Sequence, residues 1–155
     1  MLIRTKYFGE IDIEDSKIIT FHDGIMGFKE FKKYTILFDK EESESKISWL
    51  QSIEEPSLAL PVINPYLVDE KYSPIVNDEL LSNLGELTDE NLVMFLSLTV
   101  PSDIKKTTTN MKAPFIINSD NKKAIQLVAE NQEYEVRVNV YEIFQNQGKK
   151  GESLC

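Results

Sequence analysis

The residue types that most often perform catalysis are scarce in this chain of 155 residues, which has one histidine, His22, and one cysteine, Cys155. His22 lies in the turn His22-Asp23-Gly24, where an isolated histidine is usually an exposed surface residue, so we do not predict a general base there. Cys155 lies in a polar segment that supplies no base to activate a thiol, which makes it a poor nucleophile.

The sequence also lacks the residue patterns of metal-binding and phosphate-binding sites. A zinc site needs a cluster of histidine and cysteine ligands, which one residue of each type cannot supply. Neither a glycine-rich phosphate loop nor a nucleophile elbow occurs. The 26 Asp and Glu residues could provide a catalytic carboxylate pair, but so many acids make such a pair available by chance. A carboxylate-based hydrolase therefore stays a minor alternative, and we predict no metal and no cofactor.

The charge of the chain points toward protein partners. Seventeen basic and 26 acidic residues give a net charge of −9, which disfavours direct binding to the phosphates of nucleic acid. The same charge favours a basic protein partner, although solubility alone also explains an acidic surface. Eight Phe and six Tyr residues could stack on bases, but they lack interleaved arginines and are better explained as core.

Hydrophobic patterns predict the elements that would position any site, and they indicate a mainly β protein. Asn77 or Asp78 can cap a helix that Gly85 ends, and residues 27–31 resemble one helical turn. An acidic loop is predicted at residues 39–46 and a long final strand at 134–141. The other predicted strands are residues 2–8, 10–14, 18–21, 34–38, 92–100, 113–118 and 124–128.

The stretch from Trp49 to Tyr66 has the most distinctive pattern of the chain. It holds the only tryptophan and three of the six prolines, and Pro61 separates two apolar pieces, Leu58-Ala59-Leu60 and Val62-Ile63. Proline between two strand-like pieces predicts an irregular β-segment that bends. With the other elements it predicts a single-domain antiparallel β-barrel-like fold with one or two short helices over residues 1–144, followed by a flexible polar tail, 145–155. A two-sheet sandwich remains possible from these patterns.

Several features favour a cytoplasmic protein. One cysteine cannot form a disulfide framework within the chain, which is typical of a reducing compartment. The N-terminal segment becomes acidic too early for a signal peptide. The longest apolar run, from Leu92 to Val100, is far shorter than the ~20 residues of a membrane helix.

Five motifs occur along the chain in a fixed order. They are Thr5-Lys6-Tyr7-Phe8-Gly9-Glu10-Ile11, Phe21-x-Asp23-Gly24-Ile25-x-Gly27-Phe28, the segment 49–66, Asn110-Met111-x-Ala113-Pro114-Phe115-Ile116-Ile117-Asn118 and Tyr134-x-Val136-Arg137. Taken together, over roughly residues 2 to 142, they resemble the flagellar assembly factor FliW family. The family's Phe-Pro-Asp-Gly-Ile-Pro-Gly-Phe turn has His22 and Met26 here in place of its prolines, which should loosen this turn.

The resemblance implies a regulatory binding protein rather than an enzyme, monomeric when unbound. Members of this family bind newly made flagellin near its helical C-terminal region. When flagellin is exported, the freed protein binds the translational repressor CsrA, antagonises it allosterically and so relieves repression of flagellin synthesis. The alternative is a generic acidic β-domain that binds peptides or serves a structural role without regulation.

Two sets of residues are candidate partner-binding sites. An acidic strand face and the last strand would meet the basic partner, CsrA, since complementary charge speeds encounter. An aromatic pair and the proline-bent segment would form an apolar groove for an amphipathic helix of flagellin. The first set is Glu10, Asp12, Glu14, Glu133, Glu135 and Arg137. The second set is Tyr7, Phe8, Pro61, Asn64, Pro65 and Tyr66.

Overall fold

The computed structural model describes residues 1–38 and 46–145. Two short helices accompany the strands: α1, Asp78–Leu81, which a 3-10 turn at Ser82–Leu84 extends, and α2, residues 141–145. The strands are β1 Leu2–Thr5, β2 Gly9–Asp12, β3 Ile19–Phe21, β4 Lys33–Phe38, β5 Ile47–Ser52, β6 Ala59–Ile63, β7 Leu92–Thr99, β8 Thr108–Thr109, β9 Phe115–Asn118, β10 Lys123–Gln126 and β11 Val138–Asn139.

Seven strands close into a barrel in the order β7-β6-β5-β4-β3-β10-β9, and β9 pairs back onto β7. The predicted β-barrel is thereby confirmed, and the open choice between barrel and sandwich is resolved. An odd number of strands cannot alternate in direction around a closed ring, so at least one neighbouring pair must be parallel. That pair is β3 and β10, where Thr20 lies opposite Lys123. The other six pairings are antiparallel.

The barrel interior is filled by alternate residues of the strands, as the two-residue period of a strand requires. Three aromatic rings form its centre: Phe21 packs edge-on against Tyr34 and Phe115, with centroid distances of 5.5 and 6.0 Å. Around them lie Ile19, Ile25, Leu50, Leu58, Val62, Ile117 and Ala124.

The outer faces of some strands are also covered, which explains why β7 and β9 are apolar on both sides. Leu84, at the end of the α1 segment, packs against Ile116 and Ile125 of the β9–β10 hairpin. A second outer cluster joins β7 to the C-terminal segment, where the rings of Tyr72 and Tyr134 stack at 4.7 Å. Burial raises the pKa of the Tyr72 hydroxyl, which donates a hydrogen bond to the Met111 carbonyl at 2.9 Å.

Strands β1 and β2 form a separate antiparallel hairpin on the outside of the barrel. Its turn is attached where the Lys6 amide donates to the Pro56 carbonyl at 2.8 Å, and the ring of Phe8 meets the ring of Trp49 edge-on at 5.8 Å. Gly9 opens β2 at a φ of 71°, a conformation that suits glycine. The predicted first strand, residues 2–8, therefore ends early, at Thr5.

Several local predictions are confirmed. Strand β7 is central, with partners on both edges. The β9–β10 hairpin forms across residues 119–122. Asn77 caps α1 by accepting a hydrogen bond from the Leu80 amide at 3.0 Å, and Gly85 follows the helical segment at a φ of 82°.

The prediction that Pro61 divides its segment was wrong, because β6 runs through the proline. Pro61 lies opposite Trp49 of β5, while pairing between β6 and β7 begins only at Val62. Proline lacks an amide donor, so it fits where the strand has no partner on one edge.

The predicted last strand, 134–141, was also wrong. Only β11, Val138–Asn139, is strand, and residues 141–145 are helical. The chain bends at Val136, so Val136 is 58% exposed although Tyr134 and Val140 are buried. The alternation of valines along the sequence concealed this bend.

Residues 27–31 form turns rather than a helical turn. Of the predicted acidic loop, residues 39–45 lie outside the described residues, as does the predicted tail after residue 145.

Candidate partner-binding surfaces

The acidic strand face predicted for the basic partner lies on the exposed side of the β1–β2 hairpin. Glu10, Asp12 and Glu14 are all exposed, while Ile11 and Ile13 between them are partly buried, as the alternation predicts. The other face of the hairpin is covered, since Ile3 and Thr5 are buried, so the acidic face points to solvent.

Positive groups on β1 partly balance this acidic face. Arg4 lies directly opposite Glu10 in the hairpin, and residues opposite one another in a strand pair share a face. The Asp12 carboxylate accepts a hydrogen bond from the Met1 amino group at 3.0 Å. Sequence alternation could not show this balance, because it does not give the register between strands.

The second acidic candidate set lies elsewhere on the molecule, on an irregular segment rather than a strand. Glu133, Glu135 and Arg137 are exposed. The Glu135 carbonyl accepts a hydrogen bond from the Met111 amide at 3.0 Å, which ties this segment to the chain after β8. The structure therefore divides the six charged candidates between two regions.

The aromatic candidates lie near Pro61 in the fold. Tyr7 is 60% exposed at the tip of the hairpin turn, while the half-buried Phe8 packs on Trp49. Trp49 is in turn the cross-strand neighbour of Pro61. The Phe8–Trp49 contact thus places the hairpin turn beside β5, next to β6.

The other three candidates of this set follow β6. The Asn64 side chain accepts a hydrogen bond from the Tyr66 amide at 2.9 Å and so begins a 3-10 turn, Pro65–Leu67. Pro65 is buried, so it supports the turn and cannot contact a partner. Tyr66 and Leu67 are exposed and are the parts of this turn that could do so.

Sequence reasoning missed an open, apolar end of the barrel, which we call the barrel mouth. It is a cavity of about 550 Å³ with an apolar floor of Ile19, Ile36, Val93, Phe95 and Ile117. Phe38, 66% exposed, stands beside it, and Asp12, Glu14, Lys17 and Lys122 carry its charges. The only signal in the sequence was apolar residues at strand ends, which no local pattern joins.

The described residues give little support to catalysis. Among residues 1–38 and 46–145, no group of three or more His, Cys, Asp or Glu side chains is placed to hold a metal ion. The amides of Lys32 and Lys33 donate to the Glu54 carboxylate and lower its pKa, the opposite of what a general acid needs. No helix in the described part of the chain is long and apolar enough to cross a membrane.

Comparison with known proteins gives a consistent result. The family model described as FliW protein matches residues 2–140. A protein of Lachnoclostridium phytofermentans named flagellar assembly factor FliW is 56% identical, with 100% of both chains covered. Proteins of the same name from Lachnospira eligens and Thermotoga maritima are 50% and 41% identical, covering 95% and 88% of this chain and 99% and 91% of their own.

Similarity extends to solved structures. One of them, described as the crystal structure of the flagellar assembly factor FliW, has a TM-score of 0.80 and 29% sequence identity to this chain. The match covers 90% of this chain and 96% of the solved one.

Proposed function

This chain belongs to the FliW family of flagellar assembly factors, and from that premise we propose that it alternates between two protein partners in the cytoplasm. One is flagellin, bound near its helical C-terminal region before export. The other is the translational repressor CsrA, which the protein binds and allosterically antagonises once flagellin has left. Repression of flagellin synthesis is then relieved, so that synthesis follows export.

Family membership carries this proposal, because it spans residues 2–140 and FliW proteins are non-enzymatic assembly factors. The scarcity of catalytic groups in the sequence agrees with a role in binding.

The β1–β2 hairpin supports the CsrA half of the proposal. A protein that represses translation by binding RNA must carry basic surface to contact phosphates. The exposed carboxylates of Glu10, Asp12 and Glu14 would attract such a surface, and opposite potentials increase association rates most at low ionic strength.

The exposed apolar groups support the flagellin half. An amphipathic helix needs an apolar surface to cover its apolar face until it is assembled. The Tyr7, Phe8, Pro61 and Tyr66 side chains are one candidate surface, and the barrel mouth is another.

A charge reversal at Glu10 tests the CsrA half. We expect Glu10→Lys to weaken CsrA binding about five- to tenfold at low salt, because it removes an attractive charge and adds a repulsive one. Isothermal titration with purified CsrA at low and at physiological salt measures this effect.

The control is Glu90→Lys, which makes the same charge change at an exposed position before β7. It should leave CsrA affinity within about twofold of the unmodified protein. Equal affinities of the two variants would show that the hairpin is not the CsrA site. If neither flagellin nor CsrA binds the unmodified protein, the generic acidic β-domain becomes the better account.

A further inference from the structure

The β1–β2 hairpin, which carries the acidic face, is joined to the barrel at few places. Its two strands pair only with each other. In the described part of the chain, one hydrogen bond joins residues 1–13 to the rest, from the Lys6 amide to the Pro56 carbonyl at 2.8 Å. Ile3 is buried but lies outside the three apolar clusters of the molecule. A two-stranded hairpin is only marginally stable alone, so its position depends on the few contacts it makes.

The barrel surface next to the hairpin turn is polar. Thr35 and Gln51 are cross-strand neighbours on β4 and β5, and both are buried. The Gln51 Nε2 atom donates to the Pro56 carbonyl at 3.4 Å, the same carbonyl that accepts the Lys6 amide. Among the described residues no group donates to the buried Oε1 atom of Gln51. A buried acceptor without a donor costs free energy, so this polar surface does little to hold the hairpin in place.

The aromatic contact between hairpin and barrel is the packing of Phe8 on Trp49. The two rings are half-buried and meet edge-on, with centroids 5.8 Å apart, a geometry that adds attraction beyond the area it buries. The Phe8 amide donates to the Thr5 hydroxyl at 2.8 Å, and this hydroxyl donates to the Gly9 carbonyl at 2.7 Å. Because these bonds tie Phe8 to the ends of both strands, the place of its ring determines the place of the hairpin.

We propose that Phe8 and Trp49 are positioning residues for CsrA binding. Their contact holds the hairpin against the barrel and so keeps Glu10, Asp12 and Glu14 in the arrangement that CsrA binds. The inference rests on the proposed function, in which these carboxylates meet the basic partner. Neither ring needs to touch CsrA. A hairpin held in place has less freedom to lose on binding, whereas a loose one must be ordered at each encounter.

The variant Phe8→Ala tests the inference through the kinetics of binding. Surface plasmon resonance with immobilised CsrA measures both rate constants. We expect dissociation to become about three- to tenfold faster and association to stay within about twofold, because the charges that steer encounter are unchanged. Glu10→Lys, in contrast, should slow association, most strongly at low salt. Phe8→Tyr keeps the ring edge and should restore the dissociation rate of the unmodified protein.

A double-mutant cycle separates positioning from direct contact. If Phe8 acts through Trp49, Phe8→Ala should change CsrA affinity less than about twofold in a Trp49→Leu background, because the contact is already lost. An equal loss in both backgrounds would mean that Phe8 touches CsrA itself, and the inference would be overturned. Trp49→Leu alone should also speed dissociation, so it carries the test if Phe8→Ala fails to fold.

The fluorescence of Trp49 reports the position of the hairpin without a partner, because Trp49 is the only tryptophan. Phe8→Ala should increase its quenching by acrylamide, since the ring becomes less covered. The matched control is Ile104→Ala, an exposed position on a 3-10 turn between β7 and β8, which should leave both quenching and binding rates unchanged. Circular dichroism and urea unfolding verify that the barrel of each variant is folded.

The outcomes are distinct. If the unmodified protein binds CsrA and Phe8→Ala binds it with the same rates, the contact does not position the acidic face, and the inference falls while the proposed function stands. Unchanged quenching in Phe8→Ala would also overturn the inference, since the hairpin would keep its place without the ring. If the unmodified protein fails to bind CsrA, the proposed function and the inference fall together.

Discussion

The two ends of the barrel differ in how far their apolar side chains are covered. At one end the turn between β3 and β4 places Ile25 in the interior, only 2% exposed, and closes the barrel over Phe21 and Tyr34. Burial, with a contribution from the charge of Glu54, raises the pKa of the Tyr34 hydroxyl to about 12. At the other end the apolar floor stays accessible beside the exposed Phe38.

The difference shows where this chain tolerates apolar exposure. The closed end combines close backbone contacts with hydrogen bonds to amides, so it contributes to folding stability. The open end leaves apolar area in contact with water, which folding alone would not favour, so it is the better candidate for binding. Substitutions at the closed end should therefore affect unfolding, and those at the mouth should affect partners.

The largest effect on folding is expected at Gly24, whose φ is 72°. A Cβ atom at this position would lie 2.5 Å from the Lys29 carbonyl oxygen and 2.6 Å from its Cα, so the backbone must shift. We expect Gly24→Ala to reduce the free energy of unfolding by about 3 kcal/mol or more. Urea denaturation followed by circular dichroism measures the loss.

Gly27 is the matched control for this substitution. Its φ is 89°, but no atom lies within 4 Å of the Cβ position. Gly27→Ala therefore adds conformational strain without a clash and should reduce the free energy of unfolding by about 1–2 kcal/mol. Equal losses for the two alanine variants would mean that the turn can move, and the closed end would not be the rigid part of the barrel.

A smaller effect is expected at Glu54. Its carboxylate accepts hydrogen bonds from the Lys32 and Lys33 amides at 2.7 and 3.0 Å and so holds the closing turn against the turn after β5. Glu54→Gln keeps the shape but removes the charge, and we expect a loss of about 1 kcal/mol at neutral pH. The control is Glu90→Gln, an exposed position, which should change stability by less than about 0.5 kcal/mol.

The pH dependence of this loss has a definite sign. The amides lower the pKa of Glu54 in the folded protein, so its ionised form is favoured by folding. Its contribution is complete above the ordinary glutamate pKa of about 4.3 and disappears as the pH falls through the lowered folded value. Unfolding curves of the unmodified protein and Glu54→Gln should thus converge in acid. A difference that grows in acid would contradict this role.

The smallest effect on folding belongs to the mouth. Phe38→Ser removes a largely exposed side chain at the end of β4, so the free energy of unfolding should change by less than about 0.5 kcal/mol. Urea denaturation followed by circular dichroism compares this loss directly with that of Gly24→Ala. A loss as large as that of Gly24→Ala would mean that Phe38 supports the fold, and the contrast between the two ends would disappear.

Local patterns predicted the elements that depend on local contacts. Asn77 and Gly85 bounded the α1 segment correctly, and the apolar run from Leu92 predicted β7, because capping and burial on both faces leave a signature in adjacent residues. The long last strand was predicted from valines that alternate with polar residues after Tyr134. The chain bends at Val136 and turns this valine to solvent, but the bend leaves the alternation in the sequence intact.

Features that depend on topology could not be predicted from such patterns. The mouth brings together Phe38, Val93 and Ile117 from three strands that are far apart in sequence. Only the closure of the barrel places them side by side, with Lys17 and Lys122 at the rim. The parallel pairing of β3 and β10 likewise follows from closing a ring with an odd number of strands.

The most direct test of the central claim is a competition titration with the two proposed partners. CsrA is titrated into the protein alone and into the protein saturated with flagellin. The account predicts that CsrA binds the free protein and that saturation with flagellin lowers its apparent affinity at least about tenfold, since a coupling of ~1.4 kcal/mol gives this factor. Equal CsrA affinity in both titrations would contradict alternation between the two partners.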